Sequence, residues 1–265
     1  MATVDIAVED RSFSIGRVFS RAFSVMGRYP LAVFGASFLF GALPQFVLGY
    51  ATTSLHADFQ QRAVAAGIFG LGFVILVVMM VFQALNQGVI VHTTLIDREG
   101  RDARFGESVG YALSRALPFV AVSFLFALGL MIGLVLLTIP FFFLVTRWAV
   151  VFAIVVAERS GVRGAFSRSA ELTAGARWKV LGLGILVIIV AWLILAVGGV
   201  ISFLVIGMAG RAAGAMTMNP IALAVSAIAN TITLAYWSAM QASLYVELRD
   251  WKDGPSADRL AEIFR

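Results

Sequence analysis

The 265-residue chain contains no cysteine. Disulfides, thiolate metal sites and cysteine nucleophiles are excluded, and the redox compartment is left open. Histidine is scarce as well, with only His56 and His92. These two cannot form the paired ligands of an HExxH zinc site, and neither a GxSxG elbow nor a Walker phosphate loop is present. No catalytic constellation, cofactor or metal is expected. Charge is sparse too, at 13% of residues against about 25% in soluble domains. The stretch from Met1 to Ser14 is acidic and polar, and the first long apolar run begins only at Leu31, so no cleavable signal peptide is expected.

What fills the chain is apolar. Hydrophobic residues make up 60% of it, and the mean hydropathy is +0.93. A soluble chain of this length could not bury so much apolar surface, so the expected class is an all-α polytopic membrane protein. A spanning helix needs about 20 mostly apolar residues. The candidates are Leu31–Ala51, Ala65–Val91, Pro118–Leu137, Phe141–Ala157, Val180–Ile206 and Ile221–Val246. Between the third and fourth, "TIP" at 138–140 reads as a tight hairpin, because a single helix of about 40 residues would be twice the spanning length. Six helices are therefore expected, and no acidic residue lies within any of them. That argues against proton relays and carboxylate-bound cations. The organisation reads as a cytoplasmic N-terminus over 1–30, a six-helix membrane domain over 31–248 and a cytoplasmic tail over 249–265.

The net charge of +5 has two readings, nucleic acid or the cytoplasmic face of a membrane. No nucleic-acid motif is present, and the basic residues alternate. Seventeen of the 20 lie in every second connecting segment. Arg11, Arg17, Arg21 and Arg28 precede the first span, and Arg98, Arg101, Arg104 and Arg115 follow the second. Arg159, Arg163, Arg168, Arg177 and Lys179 follow the fourth, and Arg249, Lys252, Arg259 and Arg265 follow the last. The other connections hold only Arg62 and Arg211. Such alternation predicts both termini in the cytoplasm. Tyr29, Trp178, Tyr245 and Trp251 are expected at the cytoplasmic interface and Tyr50 at the outer one.

A short phrase recurs in the basic segments: "FSRA" at 19–22, "LSRA" at 113–116 and "FSRS" at 166–169. Around the first copy, Ile15, Val18, Phe19, Ala22, Phe23 and Met26 follow helical spacing, with Arg17, Arg21 and Arg28 opposite. This predicts an amphipathic helix lying in the headgroup layer. The segments 105–117 and 162–179 repeat the pattern, with Gly175 as a helix stop. Duplication of a unit and convergence of interfacial helices on Arg, Ser and Phe both account for it.

Two longer stretches are more specific: "TRWAVVFAIVVAERSGVRGAFSRSAELTAGARWKVLGL" at 146–183 and "SLYVELRDWKDG" at 243–254. With "FSIGRVFSRAFSVMGRYPL" near the start, they resemble the membrane domain of the bacterial glycerophosphoryl diester phosphodiesterase family. The matching positions include Arg147, Glu158, Arg168, Arg177, Trp178, Lys179, Tyr245, Arg249 and Lys252. Trp251 departs from the more basic residues of that closing pattern. The resemblance implies a stand-alone membrane domain, since hydrolysis in fused members belongs to a separate soluble barrel that nothing here matches.

Arg147 is the one basic residue inside a span. A charge there costs about 3 kcal/mol or more and needs partners. Either it captures a lipid phosphate or other anion, or it bonds helix-end carbonyls and amides, or it snorkels. Arg168, Arg177 and Trp178 are the other candidates for lipid or anion contact. Glu158 is expected to pair with Arg168 or Arg177 and pin the interfacial helix. Gln83, Asn86, Gln87 and Thr94 share one face of the second span, and Ser226, Asn230, Thr233, Trp237 and Gln241 share one face of the sixth. Such stripes face a bundle interior and hydrogen-bond between helices, or else line a polar cavity. "GLMIG" at 129–133 reads as small-residue packing.

The expected function is that of a non-catalytic protein of the bacterial inner membrane that interacts with lipids, a second copy or partner membrane proteins. A small transporter or channel using Arg147 and the polar stripes is the alternative, and an intramembrane lipid enzyme the third reading.

Overall fold

A computed structural model of the protein describes residues 13–54, 69–135, 138–158, 160–213 and 220–254. Arg11, His56, Arg62, Arg159, Arg259 and Arg265 lie outside the described residues, as does the tail beyond Gly254. Every described element is helical. Helix α1 is Ile15–Arg28. After Pro30, which has no N–H to donate, the chain forms two wide-turned π-helical segments, Leu31–Gly35 and Ser37–Ala42, and runs on into α2, Leu43–Ser54. There follow α3 (Phe69–Arg98), α4 (Phe105–Val135), α5 (Thr138–Arg147), α6 (Val151–Ala157), α7 (Val162–Leu172), α8 (Arg177–Ala213) and α9 (Pro220–Asp253).

Among the described residues, five stretches are long and apolar enough to cross a membrane: Leu31–Leu48, Gly72–Arg98, Phe105–Gly133, Arg177–Val205 and Ile221–Asp253. The sixth expected span, Phe141–Ala157, is shorter and is not one helix. It breaks at Trp148–Val150, where Val150 takes φ −115° and ψ 11°. The second copy of the repeated phrase also differs from expectation. It forms no separate interfacial helix but is the first part of α4, which continues through Pro118. There Ala112 packs against Gly88 so closely that a Cβ on Gly88 would lie 2.7 Å from the Ala112 Cβ.

Side-chain contacts gather the charged helix ends at one end of the bundle. Arg28 at the end of α1 bonds Asp97 of α3 at 2.7 Å. Arg98 pairs with Asp250 of α9, and Arg168 of α7 pairs with Asp253. Lys179 of α8 donates to the Phe13 carbonyl at 3.3 Å. Since α4 leaves from this end and α8 starts there again, the chain between them must return. It does so along α4: Leu144 meets Gly133, Trp148 meets Gly129, Phe152 stacks on Phe119, and Tyr111 Oη donates to the Val156 carbonyl at 2.7 Å. The two glycines are those of "GLMIG", and their missing side chains admit Trp148 and Leu144.

The returning helix α6 lies at the centre. Val151, Ala153, Ile154, Val155 and Val156 are all buried, packed among α3, α4, α7 and α9. The long helix α8 instead presents Ile185, Ile189, Trp192, Leu193 and Phe203 outward. Apolar inside and apolar outside is the pattern of a helix bundle whose solvent is hydrocarbon.

Candidate functional site: the basic end of the bundle

The break between α5 and α6 creates a problem that α7 solves. In an unbroken helix the Val151 N–H would reach the Arg147 carbonyl; here it bonds Trp148 O at 3.2 Å. The Arg147 carbonyl is left without its helical donor. Buried backbone groups in such a protein need internal partners. The fully buried Ser169 supplies one, its Oγ donating to that carbonyl at 3.0 Å. Ser169 is the last serine of the third copy, "FSRS". Phe166, the first residue of that copy, packs edge-on against Trp148 at 4.9 Å. Gly175, at φ +87°, turns the chain from α7 into α8, a conformation that favours glycine.

Around this turn stands an ionic assembly. Arg168 meets Glu158 at 3.3 Å, Glu171 at 3.3 Å, and Asp253. Of the two partners expected for Glu158, Arg168 is the one it meets. Burial alone would lower the Arg168 pKa, but Glu158 and Asp253 outweigh it and the net shift is upward. Tyr245 Oη also donates to Glu158 at 2.9 Å. Tyr245 is fully buried, so its hydroxyl is satisfied within the bundle, by Glu158.

On the other side of α9, Glu247 is 2% exposed and accepts from Arg17 Nε at 2.8 Å and from the Ser14 N–H at 3.2 Å. Asp250 accepts from Arg21 at 3.4 Å and from Arg98. Hydrogen bonding to Asp97 pushes the Arg28 guanidinium above its ordinary value. The arginines of α1 therefore meet protein carboxylates, whereas a membrane surface was the partner expected for them. Reading α9 as ending at Val246 hid this, because the helix continues to Asp253 and carries three carboxylates in its last turns. Carboxylates spaced along a helix end, facing arginines elsewhere, were the available signal.

Arg147 and Arg177 differ from the rest. Their guanidinium carbons lie 6.0 and 4.9 Å from the centre of the same ring, that of Phe143 on α5. Neither has an ion pair among the described residues. Trp178, next to Arg177, is 86% exposed. Of the four residues grouped as lipid or anion contacts, the structure brings Arg147 and Arg177 together, leaves Trp178 facing outward and gives Arg168 to carboxylates.

Deeper in the bundle the polar stripes bond across helices. Asn86 accepts from Ser37 at 3.1 Å and donates to Ser238 at 3.2 Å. Gln87 donates to Gln241 at 3.1 Å, and Asn230 to Gln45 at 2.6 Å. Thr94 and Thr233 instead bond carbonyls of their own helices. Ser37 and Ser238 were not foreseen. A cleft of about 700 Å³ opens beside this network, lined mainly by Phe40, Leu48, Ile75, Met79, Gln45 and Gln83.

Long apolar helices, an apolar outer face and charges collected at one end define a multi-pass helical membrane protein. A family model described as the membrane domain of glycerophosphoryl diester phosphodiesterase matches residues 119–261, more than half of the chain, and the protein belongs to that family. Neither a curated protein nor a solved structure matches it.

Proposed function

We propose that the protein is a non-catalytic module of a bacterial inner membrane that holds lipids or partner membrane proteins. In this reading it crosses six times, with both termini cytoplasmic, and uses no cofactor. The observation that carries it is the use made of the basic-end carboxylates. Asp97, Glu158, Glu247, Asp250 and Asp253 each meet an arginine on another element. Carboxylates held this way join helices, whereas general acid–base work needs a group within reach of a substrate proton. The six-crossing count is supported by the return of α5 and α6 along α4, and the cytoplasmic assignment by the surplus of basic residues at that end. The bonds of Asn86 and Gln87 to neighbouring helices weigh against a transport path through the polar stripes.

The test is purification of the full chain from its native membrane in mild detergent, with mass spectrometry of the lipids retained. Anionic lipids enriched over the bulk membrane are the expected outcome. Retained lipid with the bulk composition would overturn the lipid arm of this reading.

A further inference from the structure

We propose that Arg147 and Arg177, gathered on the Phe143 ring, form a clamp for one phosphate-type oxyanion, either the headgroup of an anionic membrane lipid or free phosphate. The proposal rests on the lipid-holding reading above and gives it a site. It starts from an uneven distribution of charge. Arg168 is surrounded by Glu158, Glu171 and Asp253, while the two arginines on Phe143 have no carboxylate among the described residues. The Arg177 Nε is buried and has no hydrogen-bond partner. Neither guanidinium donates to a backbone carbonyl among the described residues, so helix-end carbonyls do not account for Arg147.

A guanidinium presents a flat fork of donors that matches phosphate oxygens two at a time. Two forks on one ring can share one anion. Phe143 steadies both cations through its π face without neutralising either. Arg177 also opens α8. The first helical bond of that region runs from the Val180 N–H to the Ala176 carbonyl at 2.9 Å, and amides in a first turn lack intrahelical acceptors. The positive end of a 37-residue helix thus adds to the two side chains. Trp178 beside them carries the amphipathic ring favoured at headgroup level.

The experiment uses the full chain in a neutral detergent, titrated with phosphatidylglycerol and, separately, with inorganic phosphate, and read by native mass spectrometry and thermal unfolding. Removing both forks by Arg147→Gln with Arg177→Gln is expected to weaken phosphatidylglycerol binding by about tenfold or more. Arg163→Gln, an exposed cation of α7, is expected to leave it unchanged. A lipid source predicts that inorganic phosphate stabilises the wild type little; a free-phosphate source predicts a stabilisation by phosphate that the double variant loses. If the double variant does not fold, Arg147→Gln alone carries the same comparison, since its exposed side chain makes no described hydrogen bond. Equal binding by wild type and variant, or equal weakening by Arg163→Gln, overturns the clamp and leaves the lipid reading standing. A wild type that binds neither probe overturns both.

Discussion

The hydroxyl of Ser169 sits where a helix loses a hydrogen bond. Arg147 O has given up its Val151 donor, and Ser169 replaces it at 3.0 Å. Thr173 stands in reserve: its Oγ1 is 3.5 Å from the same carbonyl but donates its single proton to Ser169 O at 2.9 Å. Ser169→Ala should therefore cost about 1 kcal/mol, the net value of one such bond, because Thr173 can turn to Arg147 O. Ser169→Ala with Thr173→Val should cost more than the two single changes together, since the carbonyl then has no donor. Reversible unfolding in mixed detergent micelles measures all three. Additive costs would mean that the hydroxyls do not share this carbonyl. The serine of "FSRS" was visible in the sequence, but its task was not. A broken helix inside an apolar run leaves no mark in hydropathy, and Phe141–Ala157 reads as continuous.

The elements divide into those that periodicity reveals and those that tertiary contacts shape. Helix α1 belongs to the first group: Val18, Ala22 and Met26 of its expected face are buried, joined by Val25, while Phe23 of that face is exposed, and the arginines opposite were plain in the spacing. The same periodicity over 105–117 suggested a second surface helix, yet this stretch is the opening of α4. Ser108 bonds His92 Nδ1 at 3.0 Å, and Ala112 rests on Gly88. Amphipathic spacing shows which face is buried but not whether the cover is lipid or another helix. For α1 the cover includes α9, and Glu247 is the fastening. Glu247→Ala removes the buried acceptor of Arg17 and one of the two carboxylates paired with Arg21. Breaking a buried pair costs about 3–5 kcal/mol, and the half-exposed Arg17 lowers this to about 2 kcal/mol. The expected consequence is a loosened α1. A single cysteine placed at Val18, which is fully buried, should react with a maleimide much faster in the Glu247→Ala background. An unchanged rate would mean that apolar packing alone holds α1.

At the scale of the whole molecule, the alternation of basic residues and the contacts at the basic end are independent arguments for one connectivity. The first counts arginines and lysines without regard to packing. The second follows Arg28 to Asp97, Arg98 to Asp250 and Arg168 to Asp253 without regard to a membrane. Where they differ in strength is the return through α5 and α6, too short and broken to be recognised by length. Two short helices can still complete a crossing if neighbours satisfy the backbone at the break, as Ser169 does. The absence of cysteine makes the test clean. Single cysteines at Ser54, Thr138, Gly161 and Gly254 can be labelled with an impermeant reagent on intact and on opened cells. Six crossings predict that Ser54 and Thr138 react from outside, and that Gly161 and Gly254 react only once the cytoplasmic face is opened. Labelling of Thr138 and Gly161 from one side would remove the sixth crossing. It would also break the proposed link between the α8 start and the cytoplasmic surface, on which the proposed placement of Arg177 and Trp178 beside that surface depends.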